Sequence, residues 1–410
     1  MDRGTELLLG CIRMEDDQAK MDRLAVYTEE DWKTVLEAAR KNSLSPYLYH
    51  TLKSRFDQLK RVKSIREQLL HTYLASAARN MRHYHQLLDL VIKMSVENIP
   101  VILLKGSHLA ELVYGNLALR PMSDMDLLIK PDNLQQADRL LRHEGYSSSE
   151  LFQGHSFEHL APYRKSNSVT IEIHHNITEP PFSKRFAIEE LWVRALEENI
   201  ENTKVLTLSP EDLLLHLSSH VSIHHGFSFG ITPYLDIAKS IDFYSDQLDW
   251  TILRERSETW GMQRALYLVL ALSEKLIGMP VPSEFFEFMW KDKEAENALS
   301  SAEEIIFGSK RGAPQFFARL FGPEPFREKV KLIKKRLFPA KEFLFIPDVS
   351  QGNEKSGLFI YMKRYYIRLK GLYSRHAGSF WSVLRRDPAI LEAMNNENKK
   401  NRLRKWLGQE

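Results

Sequence analysis

The sequence predicts an α+β protein: a small mixed sheet with helices, flanked by N-terminal and C-terminal helical regions. Three observations predict it. Leu70, Tyr73, Leu74, Ala77, Met81, Tyr84, Leu88, Val91 and Met94 keep three-to-four spacing, which reads as one long helix over 62–96. Immediately after Asn98-Ile99-Pro100, the short apolar runs Val101–Leu104 and Leu127–Ile129 read as strands around a small-residue turn and an amphipathic segment. From about Phe186 to Ile277 the apolar spacing is again helical.

Residues 1 to about 60 read as short helices, one of them capped at Thr28-Glu29-Glu30-Asp31 ahead of Trp32, Val35, Leu36 and Ala39. Pro46 lies near the start of another. After the Leu127–Ile129 strand, Pro131-Asp132 opens a helix through Leu140 that Gly145 ends. Two strands, about 157–164 and 169–175, follow around Ser166-Asn167. Ser209-Pro210-Glu211-Asp212 starts the helix of Leu213 to Val221, with a cap, Pro at the first helical position and two acids in the first turn. Residues 280–322 read as helix broken by Gly and Pro. The expected organisation is an N-terminal helical region (1–97), an α/β core (98–180), a helical domain (181–322) and a basic, mostly helical C-terminal region (323–410).

At 410 residues the chain is long enough for two or three domains. An apolar fraction of 43% fits a globular protein, and no apolar run reaches the roughly 18 residues of a membrane span. The N-terminus has acidic flanks and no signal-peptide layout, so the expected location is the cytoplasm, with no membrane partner. A single cysteine, Cys11, excludes an intrachain disulfide framework and a Cys-rich zinc site. The net charge of +3 is unevenly spread: 327–375 hold 13 Lys+Arg against 4 Asp+Glu, leaving 44 and 50 elsewhere. That stretch, with Lys331, Lys334, Lys335, Arg336, Lys363, Arg364, Arg368 and Lys370, reads as amphipathic helices with charged outer faces. A nucleic-acid-tracking surface is the competing reading.

The chemistry concentrates in Val101–Leu128. Lys105-Gly106-Ser107 breaks the first strand. A Gly-Ser turn opening a helix offers backbone N–H groups, a hydroxyl and a positive helix end to a phosphate. Ser123-Asp124-Met125-Asp126 then leads into the second strand, where side chains at i and i+2 share a face. Asp124 and Asp126 therefore project together, and two carboxylates near a phosphate-cradling turn suit a hard cation such as Mg²⁺. An isolated D-x-D is usually a solvated strand start. Here a third carboxylate, Glu172, follows on a later strand, sharing its polar face with His174. A two-residue turn at Ser166-Asn167 pairs Lys165 with Ser168 and sets His159 opposite His174. His216, His220 and His224 fall at i, i+4 and i+8, a spacing that can bind metal. Within a Leu-rich helix they read instead as satisfied or partly exposed histidines.

Gly106-Ser107 followed by Asp124-x-Asp126 resembles the signature of the polymerase-β-type nucleotidyltransferase fold. The wider frame is Leu104-Lys105-Gly106, Arg120, Ser123-Asp124-Met125-Asp126-Leu127-Leu128, Gly145-Tyr146 and Ile171-Glu172-Ile173-His174. It is similar to a bacterial family of uncharacterised nucleotidyltransferases, from about Arg79 to about Pro282. The resemblance implies that 98–180 is a nucleotidyltransferase core moving an NMP from an NTP, ATP first, by two-metal catalysis with Mg²⁺ or alternatively Mn²⁺. It places the triphosphate at Gly106 and Ser107, with Lys105, Arg120 and Ser123 beside it. Asp124 and Asp126 are then the ligands of both ions, and Glu172 completes the ion that activates the acceptor. His174 and His159 are placed beside the nucleotide or acceptor. The implied acceptor is a hydroxyl or phosphate on a peptide or small molecule in a biosynthetic pathway. RNA nucleotide addition and a non-catalytic nucleotide-binding or antitoxin-like regulator are the alternatives.

Overall fold

The computed structural model describes residues 1–14, 17–59, 62–148, 159–287, 293–308 and 388–408, with a few single positions between 309 and 387. The chain divides into two units, Met1–Phe307 with Arg404–Glu410, and Gly308–Leu403. The basic stretch 327–375 lies, but for a few positions, outside the described residues.

The first unit opens with helices α1 (Arg3–Ile12), α2 (Asp17–Ala25), α3 (Glu29–Lys41) and α4 (Ser45–Leu52). The Thr28 start signal is a full capping box: its hydroxyl accepts from the Asp31 N–H, and the Asp31 carboxylate accepts from the Thr28 N–H. Helix α5 (Lys63–Val96) runs for 34 residues, on the order of 50 Å. The sequence places it within a residue of these bounds. Cys11 is fully buried, and burial pushes its thiol far above the ordinary range.

Five strands form one sheet: β1 (Val101–Leu104), β2 (Asp124–Ile129), β3 (Thr170–His174), β4 (Leu196–Ile200) and β5 (Thr203–Thr207), in the order β3-β2-β1-β5-β4. β1 pairs antiparallel with β2 and parallel with β5, β2 runs parallel to β3, and β4 and β5 form a hairpin. The hairpin is a departure from expectation, because 196–207 lies in the stretch whose spacing reads as helix. On the other side, the Ser166-Asn167 turn forms, but the described residues 159–164 make only isolated bridges instead of the expected strand, and the pairing slips by one residue between Tyr163 and His159. Ser168 donates its N–H to Lys165, Tyr163 bridges Ile171 and His159 bridges His174.

Strand alternation divides the sheet into two chemistries. Val101, Leu103, Met125, Leu127, Ile129, Ile171 and Ile173 join one buried cluster with Leu87, Leu90, Val91 and Met94 of α5. Leu134, Ala137 and Leu141 of α6 (Leu134–His143) complete it. The opposite face of β2 and β3 carries Asp124, Asp126, Glu172 and His174. The cluster thus fixes the register that aims the polar side chains. Behind β5 the chain continues through α7 (Pro210–Ser219), α8 (Thr232–Phe243), α9 (Trp250–Trp260) and α10 (Gln263–Ile277). Ser209 caps α7 through the Asp212 N–H, with Pro210 at the first turn. Among the described residues, no helix is long and apolar enough to cross a membrane.

Candidate active site

The site begins where β1 ends. Lys105 takes a positive φ of 44°, turning the chain out of the strand and into a single helical turn, Lys105–His108. A π-helical turn, Leu109–Val113, follows. Helix α5 supports this turn from behind, as its sequence position suggests. The buried Tyr84 hydroxyl donates to the Ser107 carbonyl at 2.8 Å and accepts from the Glu111 N–H at 3.2 Å. One turn and two turns earlier on the same face, Asn80 and Ser76 hold the loop that precedes β2. Asn80 is fully buried, donates to the carbonyls of Leu117 and Arg120 at 2.6 and 2.8 Å, and accepts from the Met122 N–H. Ser76 donates to the Ala118 carbonyl at 2.8 Å. Sequence reasoning missed both, although polar residues on the inner side of an otherwise apolar helix face are the signal that marks them.

Asp126 is the centre of the arrangement. It is 3% exposed, and its Oδ1 accepts from Lys105 Nζ at 2.7 Å and from His174 Nε2 at 2.9 Å. Burial alone would raise its pKa. Lys105 and His174 outweigh burial and hold Asp126 well below the usual carboxylate range. The parallel register sets Glu172 directly beside Asp126, with Oε2 3.9 Å from His174 Nε2. Burial, and then the Asp126 charge, raise the pKa of Glu172, and the same two causes raise that of Asp124. Burial, followed by the Lys105 charge, lowers His174 to about 4, so its imidazole is neutral near pH 7 and donates Nε2–H to Asp126.

One ligand atom each from Asp126, Glu172 and His174 lie within 4.8 Å of one another. Two carboxylates and a neutral imidazole at that spacing fit a divalent cation. The sequence expectation drew the metal set as Asp124, Asp126 and Glu172. The compact group has His174 in place of Asp124, although Asp124 shares the same wall. A cavity of about 250 Å³ opens over this wall, lined by Lys105, Gly106, Arg120, Met122, Ser123, Asp124, Asp126, His159, Glu172 and His174. On its other side are His220, His224, His225 and Phe229.

The other expected residues divide. Ser123 and His159 line the cavity. Ser107 does not: it is fully buried, and its Oγ accepts from the Asp126 N–H at 3.2 Å, so it positions β2 rather than presenting its hydroxyl to the cavity. Gly106 lines the cavity, and a Cβ there would meet the Met122 side chain at 3.2 Å, a tight contact that Met122 would have to yield to. Arg120 reaches the cavity with its charge already engaged. Its Nε donates to both Asp236 oxygens at 2.9 and 3.0 Å, and Tyr114 donates to the same carboxylate at 2.7 Å. The sequence reads His216, His220 and His224 as satisfied or partly exposed histidines of one regular helix. In the structure α7 gives way at His220 to a π-helical turn, His220–His224, which spaces these residues differently from a regular helix. His216 stays in the interior, bonded to the Ile177 carbonyl at 3.1 Å, while His224 meets Glu179 at 3.1 Å.

A mixed sheet thus sets paired carboxylates beside a strand-to-helix turn over a small polar cavity, the arrangement that the resemblance to nucleotidyltransferases implies. Two solved structures are similar to the chain. The antibiotic-resistance factor ANT(2'')-Ia matches at 11% identity and a TM-score of 0.31, over 43% of this chain and 92% of its own. An antigenic nucleotidyltransferase-like protein from Paracoccidioides brasiliensis matches at 18% identity and a TM-score of 0.32, over 53% and 97%. No curated protein matches the chain. The profile of the uncharacterised nucleotidyltransferase family matches residues 28–278, and the chain belongs to that family. It is therefore an enzyme of the nucleotidyltransferase class, and its acceptor is the open question.

Proposed function

We propose that the protein moves a nucleoside monophosphate from an NTP, ATP first, to a hydroxyl or phosphate of a peptide or small molecule, with Mg²⁺ as the preferred ion and Mn²⁺ as its substitute. The observation that carries this reading is the grouping of Asp126, Glu172 and His174 beside Asp124 and Lys105 on one wall of the cavity. Asp124, Asp126 and Glu172 would hold divalent cations, with His174 completing the buried end. When bound, such ions neutralise triphosphate charge and lower the pKa of an acceptor hydroxyl.

The chain's own groups supply the remainder. Lys105, 14% exposed at its side chain, sits where its ammonium can leave Asp126 for a phosphate oxygen. Asp236 holds Arg120 in place, so Arg120 contributes a fixed positive field rather than a mobile clamp. The Asn80 and Tyr84 hydrogen bonds keep both loops of the site in a fixed frame, and proximity of this kind accounts for much of phosphoryl-transfer catalysis.

The test is incubation with each α-labelled NTP, Mg²⁺ and panels of peptide, small-molecule and RNA acceptors, read by intact mass. An NMP-sized mass increase on a peptide or small molecule supports the reading. Extension of RNA alone overturns the acceptor assignment, and nucleotide binding without any product favours a regulator. Glu172→Gln is expected to keep NTP affinity within a few-fold while lowering turnover by at least about two orders of magnitude, the pattern of a group needed mainly in the transition state. Calorimetry and single-turnover kinetics check it, and unchanged turnover would remove Glu172 from the site.

A further inference from the structure

The wall facing the carboxylates is built differently from the rest of the cavity. His220 and His224 stack with ring centroids 5.7 Å apart and planes 11° apart. His225 packs edge-on against His220 at 4.4 Å, and Phe229 lies 4.1 Å from His225. Phe229 lines the cavity and is 54% exposed, so its ring is accessible to a ligand. The backbone that presents it is also unusual. Gly226, Phe227 and Gly230 have φ of 51°, 63° and 79°. For Phe227 that left-handed conformation is strained. Its ring is 1% exposed and its N–H donates to the Val221 carbonyl at 2.9 Å, so the turn is anchored through Phe227 while Phe229 is turned outward. Burial, then His224, lowers His225 to about 3, which leaves its imidazole uncharged near pH 7.

We propose that His220, His225 and Phe229 form a stacking platform for the base of the nucleoside triphosphate. This rests on the nucleotide reading above. The cavity is about 250 Å³, below the roughly 300–1,000 Å³ of clefts that enclose a drug-sized ligand. Its deep end holds the carboxylates and Lys105, groups suited to cations and phosphates. A nucleotide seated there has to leave its base at the rim, and the rim on the far side is an exposed ring backed by two imidazoles. Base–aromatic stacking tolerates every base because each has a π face, and it strengthens with ring area. The platform therefore favours purines over pyrimidines without reading their edges.

The experiment compares ligands that differ only in the base. Binding of a non-hydrolysable ATP analogue, the matching CTP analogue and inorganic tripolyphosphate is measured by calorimetry with Mg²⁺, on the full chain and on Phe229→Ala, Phe229→Trp and His225→Ala. Phe229 is exposed, so its variants keep the fold. The expected result is a loss of about ten-fold or more in ATP-analogue affinity for Phe229→Ala, a smaller loss for the CTP analogue, none for tripolyphosphate, and recovery in Phe229→Trp. Unchanged ATP-analogue affinity in Phe229→Ala, or equal losses for nucleotide and tripolyphosphate, would overturn the platform while leaving nucleotide transfer standing. Wild-type protein that binds tripolyphosphate but gains nothing from a base overturns it equally. Failure of the wild type to bind any of the three would instead overturn the nucleotide reading itself, and the platform with it.

Discussion

Asp124→Asn is expected to abolish nucleotidyl transfer and leave the fold intact, whereas Asp126→Asn abolishes transfer and also destabilises the protein. The sequence places both carboxylates on one face of a strand, but the structure separates them by burial. Asp124 begins β2 and is partly exposed, so losing its charge removes a proposed cation ligand and relieves repulsion with Asp126. Asp126 is buried and is the shared acceptor of Lys105 and His174. Neutralising it removes, in a low-dielectric site, the charge that Lys105 and His174 share, although the Asp124 and Glu172 carboxylates still act on Lys105. Breaking a buried pair from one side costs about 3–5 kcal/mol, and the 14% exposure of Lys105 places this case at the lower end. Turnover in each variant should fall by at least about 10²–10³-fold. Urea denaturation read beside turnover separates the two effects. Wild-type turnover in either variant would remove the carboxylates from the chemistry, and an Asp126→Asn variant of wild-type stability would show that Lys105 relocates without cost.

Stability should collapse as pH falls below about 6.5, well above the range in which carboxylates titrate. Burial lowers His108, His216 and His225 to about 3 each and His174 to about 4. The unfolded chain takes up these protons near pH 6.5, while the folded chain refuses them until far lower. Stability from these groups is therefore fully present above pH 6.5 and is lost as pH falls toward their folded values. Each contributes about 1.4 kcal/mol per pH unit across that window. Together they remove on the order of 4–5 kcal/mol between pH 6 and pH 5, a large share of a typical 5–15 kcal/mol of net stability. The raised pKa values of Asp124 and Glu172 act in the opposite direction, but only as pH nears the carboxylate range. The depressed Asp126 adds to the loss below about pH 4. Thermal unfolding followed from pH 7.5 to pH 5 checks this, and a flat midpoint across that range would mean that these histidines admit water and protons in the folded state.

What the sequence reveals depends on how local each feature is. The carboxylate face follows from alternation: once 124–129 and 170–174 are strands, Asp124, Asp126, Glu172 and His174 must share a side, whereas His159 meets His174 only through a one-residue slip beyond the Tyr163–Ile171 pair that the turn does not specify. Helix α5 is legible because its apolar period is long and ends at Pro100. The β4–β5 hairpin is not. The run Ala187-Ile188-Glu189-Glu190-Leu191-Trp192-Val193-Arg194 continues into Leu196-Glu197-Glu198, residues that favour helix by themselves. Pairing of Ile102 and Leu103 with Leu206 and Thr207 overrides that preference, and no window of the sequence contains both partners. The histidine wall is hidden for a related reason. A π-turn at His220 changes which side chains face the cavity, and a pattern read at a regular helical period cannot register it. Ser107 shows the reverse limit. Its type and position suit a phosphate, yet its lone pair is committed to the Asp126 amide.

Helix α5 reaches the sheet and the site loop through consecutive parts of one rod. Its C-terminal half packs Leu87, Leu90, Val91 and Met94 into the sheet, and Ser76, Asn80 and Tyr84 bind the 106–122 backbone through side-chain hydrogen bonds. The segment before β2 has no regular structure of its own, and by appearance it belongs with mobile surface loops. Its hydrogen-bond partners belong to the helix that covers the apolar face of the sheet. Opening it requires α5 to lift away, which also exposes the back of the sheet. In the language of cooperative unfolding units, this irregular loop is part of the core foldon, and its amide protons exchange with solvent on the slow timescale of the helix that holds it.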